Sequence, residues 1–115
     1  MTVAAISSRP PEWDLFARAL RECRPVRAHY RGANRVLCPH VLGWKDGRPK
    51  VLAYQVAGYT SQGGLPQDPR QRWRSMFVDE ITMVVLTDDH WKTAGNYSPR
   101  SNGIDRIELA VRVLN

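Results

Sequence analysis

Arg72-Trp73-Arg74 sets one aromatic side chain between two guanidiniums. Small strand-built domains hold single strands with that combination: a base stacks on Trp or Tyr while arginines meet the phosphates. Arg27 and Arg31, on a neighbouring strand, would add to such a surface. The competing arrangement puts Trp73 in the core and both arginines in solvent. Tyr54-Gln55 is the second candidate, because hydrogen-bonding side chains stand there in the most strand-like part of the chain, where Val or Ile would serve. Neighbours on a strand point to opposite faces, so one of the two enters the core and the other faces a groove, within reach of His40 or Trp73. The plain alternative is a packed Tyr54 with a solvated Gln55. The candidate ligand-binding set is thus Arg27, Arg31, Arg72 and Arg74 for anionic groups, with His40, Tyr54, Gln55 and Trp73 for stacking and hydrogen bonds.

Cys38 and His40 lie two apart on a strand, on one face at roughly 7 Å. A Cys–His nucleophile needs hydrogen-bond contact and a third orienting group, and no such pattern accompanies them. A zinc site needs about four ligands, and only His29 and His90 are left to add imidazoles. "SQGG" lacks the Lys and the strand-to-helix context of a phosphate loop. There is no nucleophile elbow and no catalytic acid pair. The expectation is a non-enzymatic protein without metal or cofactor.

Charge points to the partner class. The 115 residues carry 17 Lys+Arg against 11 Asp+Glu, a net +6 with pI near 9.9. The excess is uneven, since seven arginines fall between Arg9 and Arg35 against Glu12, Asp14 and Glu22. That favours an anionic ligand or single-stranded nucleic acid, or else marks a solubilising face. Hydrophobic content of 43% and charged content of 24% fit one globular domain, long enough to bury a core without staples. No apolar run approaches ~20 residues, so no membrane span is expected. Met1 to Arg9 has no secretory pattern, which with Cys23 and Cys38 as free thiols leads to a cytoplasmic expectation.

The elements that must position these residues follow from periodicity. Ser7 or Ser8 can cap a helix of about 10–24, with Pro10-Pro11 in its first turn. Trp13, Phe16, Ala17 and Leu20 form its apolar stripe, and Pro25 ends it. Val26, Ala28 and Tyr30 alternate with Arg27, His29 and Arg31 as a strand. A second strand runs from about Arg35 to Trp44, with Pro39 demanding an edge or a bulge. Lys45-Asp46-Gly47 turns into a third, Pro49 to Val56. Residues 58–71 make a long Gly- and Pro-rich loop, functional or mobile. "RWRSMFV" is a fourth strand and "ITMVVL" a fifth, apolar enough to be largely buried. After an irregular 87–103 segment, Ile107, Leu109, Val111 and Val113 alternate as a sixth strand of about 104–114. The predicted fold is α+β: an N-terminal helix packed on a small antiparallel barrel of five to six strands, about 26–86 plus the last strand, closed or partly closed to hide its edges.

With the strands in place, "RECRPVRAHYRG", "VLCPHVLGWKDGR", "VLAYQ" and "WRSMFVDEI" together resemble the WYL domain, a bacterial Sm-like (SH3-type) barrel. Tyr30, Pro39, Gly43, Tyr54, Arg74, Met76, Phe77, Asp79 and Ile81 fall near that family's pattern, over roughly Leu20 to Val84. The Trp-Tyr-Leu positions hold Pro49, Lys50 and Val51, and one helix stands where a helix-turn-helix usually precedes the barrel. The resemblance implies a stand-alone regulatory module that senses nucleotides or single-stranded nucleic acid. The alternative is a protein-interaction domain, a homodimer joined through a strand edge or the helix.

Overall fold

The computed structural model describes residues 9–100 and 103–112. Helix α1 (Pro11–Glu22) buries Trp13, Phe16, Ala17 and Leu20, the stripe its spacing predicts. Pro10 stands at its N-terminus with no side-chain cap, and the Ser7/Ser8 expectation lies outside the described residues. The helix ends two residues earlier than expected. Cys23 takes a left-handed conformation, and the Cys23 and Arg24 N–H groups bond the Leu20 and Ala19 carbonyls, a Schellman arrangement usually made with Gly.

Six antiparallel strands follow: β1 (Val26–Tyr30), β2 (Ala33–Lys45), β3 (Arg48–Gly58), β4 (Trp73–Phe77), β5 (Thr82–Leu86) and β6 (Arg106–Ala110). They pair in the order β4-β3-β2-β1-β5, and β6 pairs with β2. Among the described residues no pairing joins β4 to β5, so the strands form one open six-stranded sheet with α1 packed on it, an α+β fold.

Strand β2 organises the sheet. One of its edges pairs with β3 along almost its whole length; the other pairs with β1 from Ala33 to Leu37 and with β6 from Val41 to Trp44. Pro39 falls in the gap between β1 and β6, where a missing N–H breaks no ladder bond. The register also slips at this point, leaving His40 as an extra residue opposite β3, so the bulge that Pro39 predicts is there.

Two expectations need correcting. Strand β5 is an edge, paired only with β1, and is not largely buried: Met83 is 76% and Val85 59% exposed, while Val84 and Leu86 pack on the core. A bulge opposite Ala28 puts Met83 in the left-handed region at φ 56°. Strand β6 spans 106–110, and its alternation is interrupted. Leu42 faces Leu109 but Gly43 faces Ile107, leaving Glu108 extra and Ile107 40% exposed. Val113 lies outside the described residues.

Glu108 turns that interruption into a lock. Its carboxylate accepts from Trp44 Nε1 at 2.7 Å and from Arg9 at 2.8 Å. Trp44 stacks on Trp13 of the helix with centroids 5.0 Å apart, so β2, β6 and α1 meet at one point. Gly43 makes this possible, since a Cβ there would collide with the Arg106 carbonyl. Gly43→Ala should therefore destabilise the fold by about 1–3 kcal/mol, the usual cost of forcing atoms into a packed site. Denaturant unfolding reads that loss, and amide exchange should speed up first at 107–110. An unchanged midpoint would mean β6 is not seated on β2 as described.

Candidate anion-binding site

Inward positions of β1 and β2 alternate, which puts Tyr30 and Arg35 on the buried side of the sheet with Leu37. Arg35 is only 4% exposed. Its Nε donates to the Tyr30 carbonyl at 3.2 Å and its Nη1 to Gln55 Oε1 at 3.3 Å. Its guanidinium lies 5.1 Å from the centre of the Tyr30 ring. All three partners are neutral, and among the described residues Arg35 has no carboxylate partner. A charge removed from water is normally paired, so this one stands uncompensated. Burial, then the nearby charge of Arg74, holds its pKa below the ordinary arginine value.

Two more guanidiniums face the same cavity, which has a volume of about 450 Å³. Arg74 comes from β4, with its Nη1 on the Gln71 and Trp73 carbonyls, and burial lowers its pKa too. Arg31 comes from the β1–β2 turn, 5.1 Å from the Tyr30 ring, and its nearest acid is Glu80 at 3.6 Å. Glu80 is shared with Arg48, and no carboxylate lines the cavity. Ser75 and Met76 of β4 and the 60–66 stretch of the long loop complete the wall. Thr60 and Gly63 pair there in a tight turn.

The loop is fastened at both ends by residues the sequence singled out. Gln55 is fully buried, and its Nε2 donates to the Ala57 and Tyr59 carbonyls while its Oε1 holds Arg35. Arg72 Nε donates to the Pro66 carbonyl at 2.8 Å, and Nη2 to that of Gln67. So Gln55 and Arg72 shape the cavity, while Arg31 and Arg74 line it. Arg27 does not line it; it is exposed beside Val36 and Met83 along a second cavity of about 310 Å³, which Arg35 also borders.

The aromatic candidates gather in a second cluster. His40 is fully buried, with Trp73 and Trp91 at 4.7 Å and Tyr97 at 5.0 Å between ring centres. Tyr54 packs on Trp73 at 5.1 Å. Trp73 Nε1 donates to Asn96, and the Tyr97 hydroxyl to the Val111 carbonyl. This cluster pins the irregular 87–100 stretch to the sheet. Cys38 and His40 are not paired as nucleophile and base. His40 Nδ1 donates to the Cys38 carbonyl at 2.6 Å, its Nε2 meets the Thr93 hydroxyl, and burial raises the Cys38 thiol pKa, the opposite of activation.

Sequence reasoning counted Arg35 among the basic residues without placing it in the site. Its signal was present: two residues before an inward Leu37, an arginine has to point inward. Searched against protein-family models, curated proteins and solved structures, the chain matches none.

Burial lowers the pKa of His40 from 6.5 to about 4. Above pH 6.5 the imidazole is neutral in both folded and unfolded chains, and its contribution is fully present. As pH falls from 6.5 towards 4, the unfolded chain takes up a proton that the folded chain refuses. Stability should drop by about 1.4 kcal/mol per pH unit, about 3 kcal/mol in total. Urea midpoints from pH 7 to 4.5 should show that slope in the wild type and a shallower one in His40→Gln. Equal slopes would put His40 in contact with water.

Proposed function

We propose that this chain is a non-enzymatic ligand-binding and regulatory module that captures an anionic ligand, in the nucleotide and nucleic-acid class, in the pocket of Arg31, Arg35 and Arg74. One observation carries the reading: Arg35 is buried as a cation with no carboxylate beside it among the described residues. A folded protein tolerates such a charge most readily where a ligand supplies the missing anion. The excess of six positive charges draws such ligands in from a distance. Support for a WYL-like, SH3-type small barrel comes from the β4–β5 connection. One turn of 3-10 helix, Val78–Glu80, leads from one end of the sheet order directly to the other. Pro39 at a bulge and Gly43 at a close strand crossing give physical reasons for two of the positions that carry the resemblance.

A protein-interaction domain is the second reading, favoured by the exposed Met83 and Val85 on the edge strand. It requires a mass that rises with concentration and a melting point indifferent to anions.

The β1–β2 turn sharpens the first reading. Both tight hairpins have two central residues at positive φ: Asp46-Gly47 at 50° and 78°, and Arg31-Gly32 at 47° and 74°. Such turns favour Asn, Asp or Gly at the first position, and arginine there carries strain. Arg31→Asn should raise stability in chloride by up to about 1 kcal/mol, the order of the left-handed penalty. The Glu80 pair it gives up is exposed and contributes little. The same variant should lose part of the melting-point rise that wild-type protein shows when phosphate replaces chloride at equal ionic strength. Thermal unfolding in the two salts measures both effects. A phosphate shift absent from the wild type, or unchanged in the variant, would remove the pocket from the function.

A further inference from the structure

We infer that the pocket recognises a terminal phosphate monoester on a small polar ligand, end-on, and not the diester backbone of a nucleic-acid strand. The inference rests on the anion-binding reading above and narrows it to one ligand chemistry.

Charge is the first argument. Three guanidiniums face one cavity with no carboxylate on its walls, and Glu80 partly offsets only Arg31. A phosphodiester brings one negative charge. A monoester brings close to two at neutral pH, with three terminal oxygens for forked donors, and so matches the unbalanced charge more closely.

Shape is the second. A strand-binding surface needs cations strung along a groove with aromatic faces between them. Here the residues that would extend such a groove serve other ends. Arg72 holds loop carbonyls, Arg27 does not line this cavity but a second one that shares only Arg35 with it, and Trp73, Tyr54 and His40 pack on one another. The aromatic ring at the pocket, Tyr30, is buried with two guanidiniums beside it. The cavity is enclosed on one side by the 60–66 loop, anchored by Gln55 and Arg72. A volume of about 450 Å³ lies in the range of small-ligand sites, and the loop contributes polar backbone and side chains to it.

The ligand's own titration makes the inference testable. Among the described residues no histidine and no carboxylate lines the cavity; the titratable groups there are the three arginines and Tyr30, whose pKa burial raises. Glu80, the acid nearest Arg31, stands outside the cavity lining. A change in affinity between pH 7.5 and 5 therefore reports the second ionisation of the monoester, near pH 6.

Isothermal titration of the full chain with ribose 5-phosphate, dimethyl phosphate, inorganic phosphate and decathymidylate, the last with and without a 5′-phosphate, tests this. Ribose 5-phosphate should bind, dimethyl phosphate should bind at least tenfold more weakly, and ribose 5-phosphate affinity should fall about tenfold from pH 7.5 to 5. Arg35→Lys should cost tenfold or more at pH 7.5. If that buried variant fails to fold, Arg74→Gln on the half-exposed β4 position carries the same expectation. Tighter binding of 5′-phosphorylated decathymidylate than of ribose 5-phosphate would uphold monoester recognition and assign its source to a strand end. Decathymidylate binding that ignores the 5′-phosphate, yet depends on Arg74, would overturn the inference and leave the anion pocket standing. No anion binding above the chloride background would overturn both.

Discussion

Everything described here depends on β2 being shared. Its thirteen residues are paired along one edge by β3 and along the other by two strands in succession, β1 and then β6. A strand used this way cannot stay regular, because two neighbours of different register must both be satisfied. The adjustment falls where it costs least: at Pro39, which has no N–H to lose, and at His40, the extra residue beside it. One bend thus divides the sheet into a half that carries Tyr30 and Arg35 and a half that carries Trp44 and the helix contact.

The two halves solve different problems of burial. Around Trp44 the charged groups meet partners of opposite character. Glu108 accepts from the indole and from Arg9, and the guanidiniums of Arg9 and Arg106 lie over the rings of Trp13 and Trp44. Around Arg35 two hydrogen bonds to neutral oxygens are made, and among the described residues no carboxylate pairs with its charge. Gln55 answers the puzzle of a polar side chain deep in a strand. Fully buried, it bonds a guanidinium on one side and two loop carbonyls on the other, which an apolar residue cannot do. It couples the buried cation to the loop that walls the cavity.

Much of the fold was legible. The helix stripe, the first four strands and the consequence of Pro39 followed from spacing and proline chemistry alone. What failed to follow was the facing of side chains wherever a bulge intervenes, since one extra residue reverses every later assignment. A bulge in β5 leaves Thr82 exposed next to Met83, against the alternation, one in β6 frees Glu108 to reach Trp44, and one in β2 sends His40 into the aromatic cluster. Bulges leave little trace in residue type, except where a proline marks one. For the site, residue type was informative and location was not. Arginines were expected at an anion and aromatics at a base; the structure gathers two of those arginines with Arg35 and sends the aromatics elsewhere.

That separation has a thermodynamic consequence. A single surface combining stacking rings with arginines would have to leave large apolar faces in water when empty. Here Trp73, Trp91, Tyr97 and Tyr54 cover one another and His40, so their burial stabilises the unliganded protein. At the proposed anion site what is left over is charge, the term a bound anion would offset most directly. Trp44 stands nine residues beyond Arg35 on β2, up to roughly 30 Å of strand, so the contact that fixes the helix lies well away from the pocket. The core is thus packed without a ligand, and Tyr30 and Met76, which belong to it, also wall the cavity in which the proposed anion would sit.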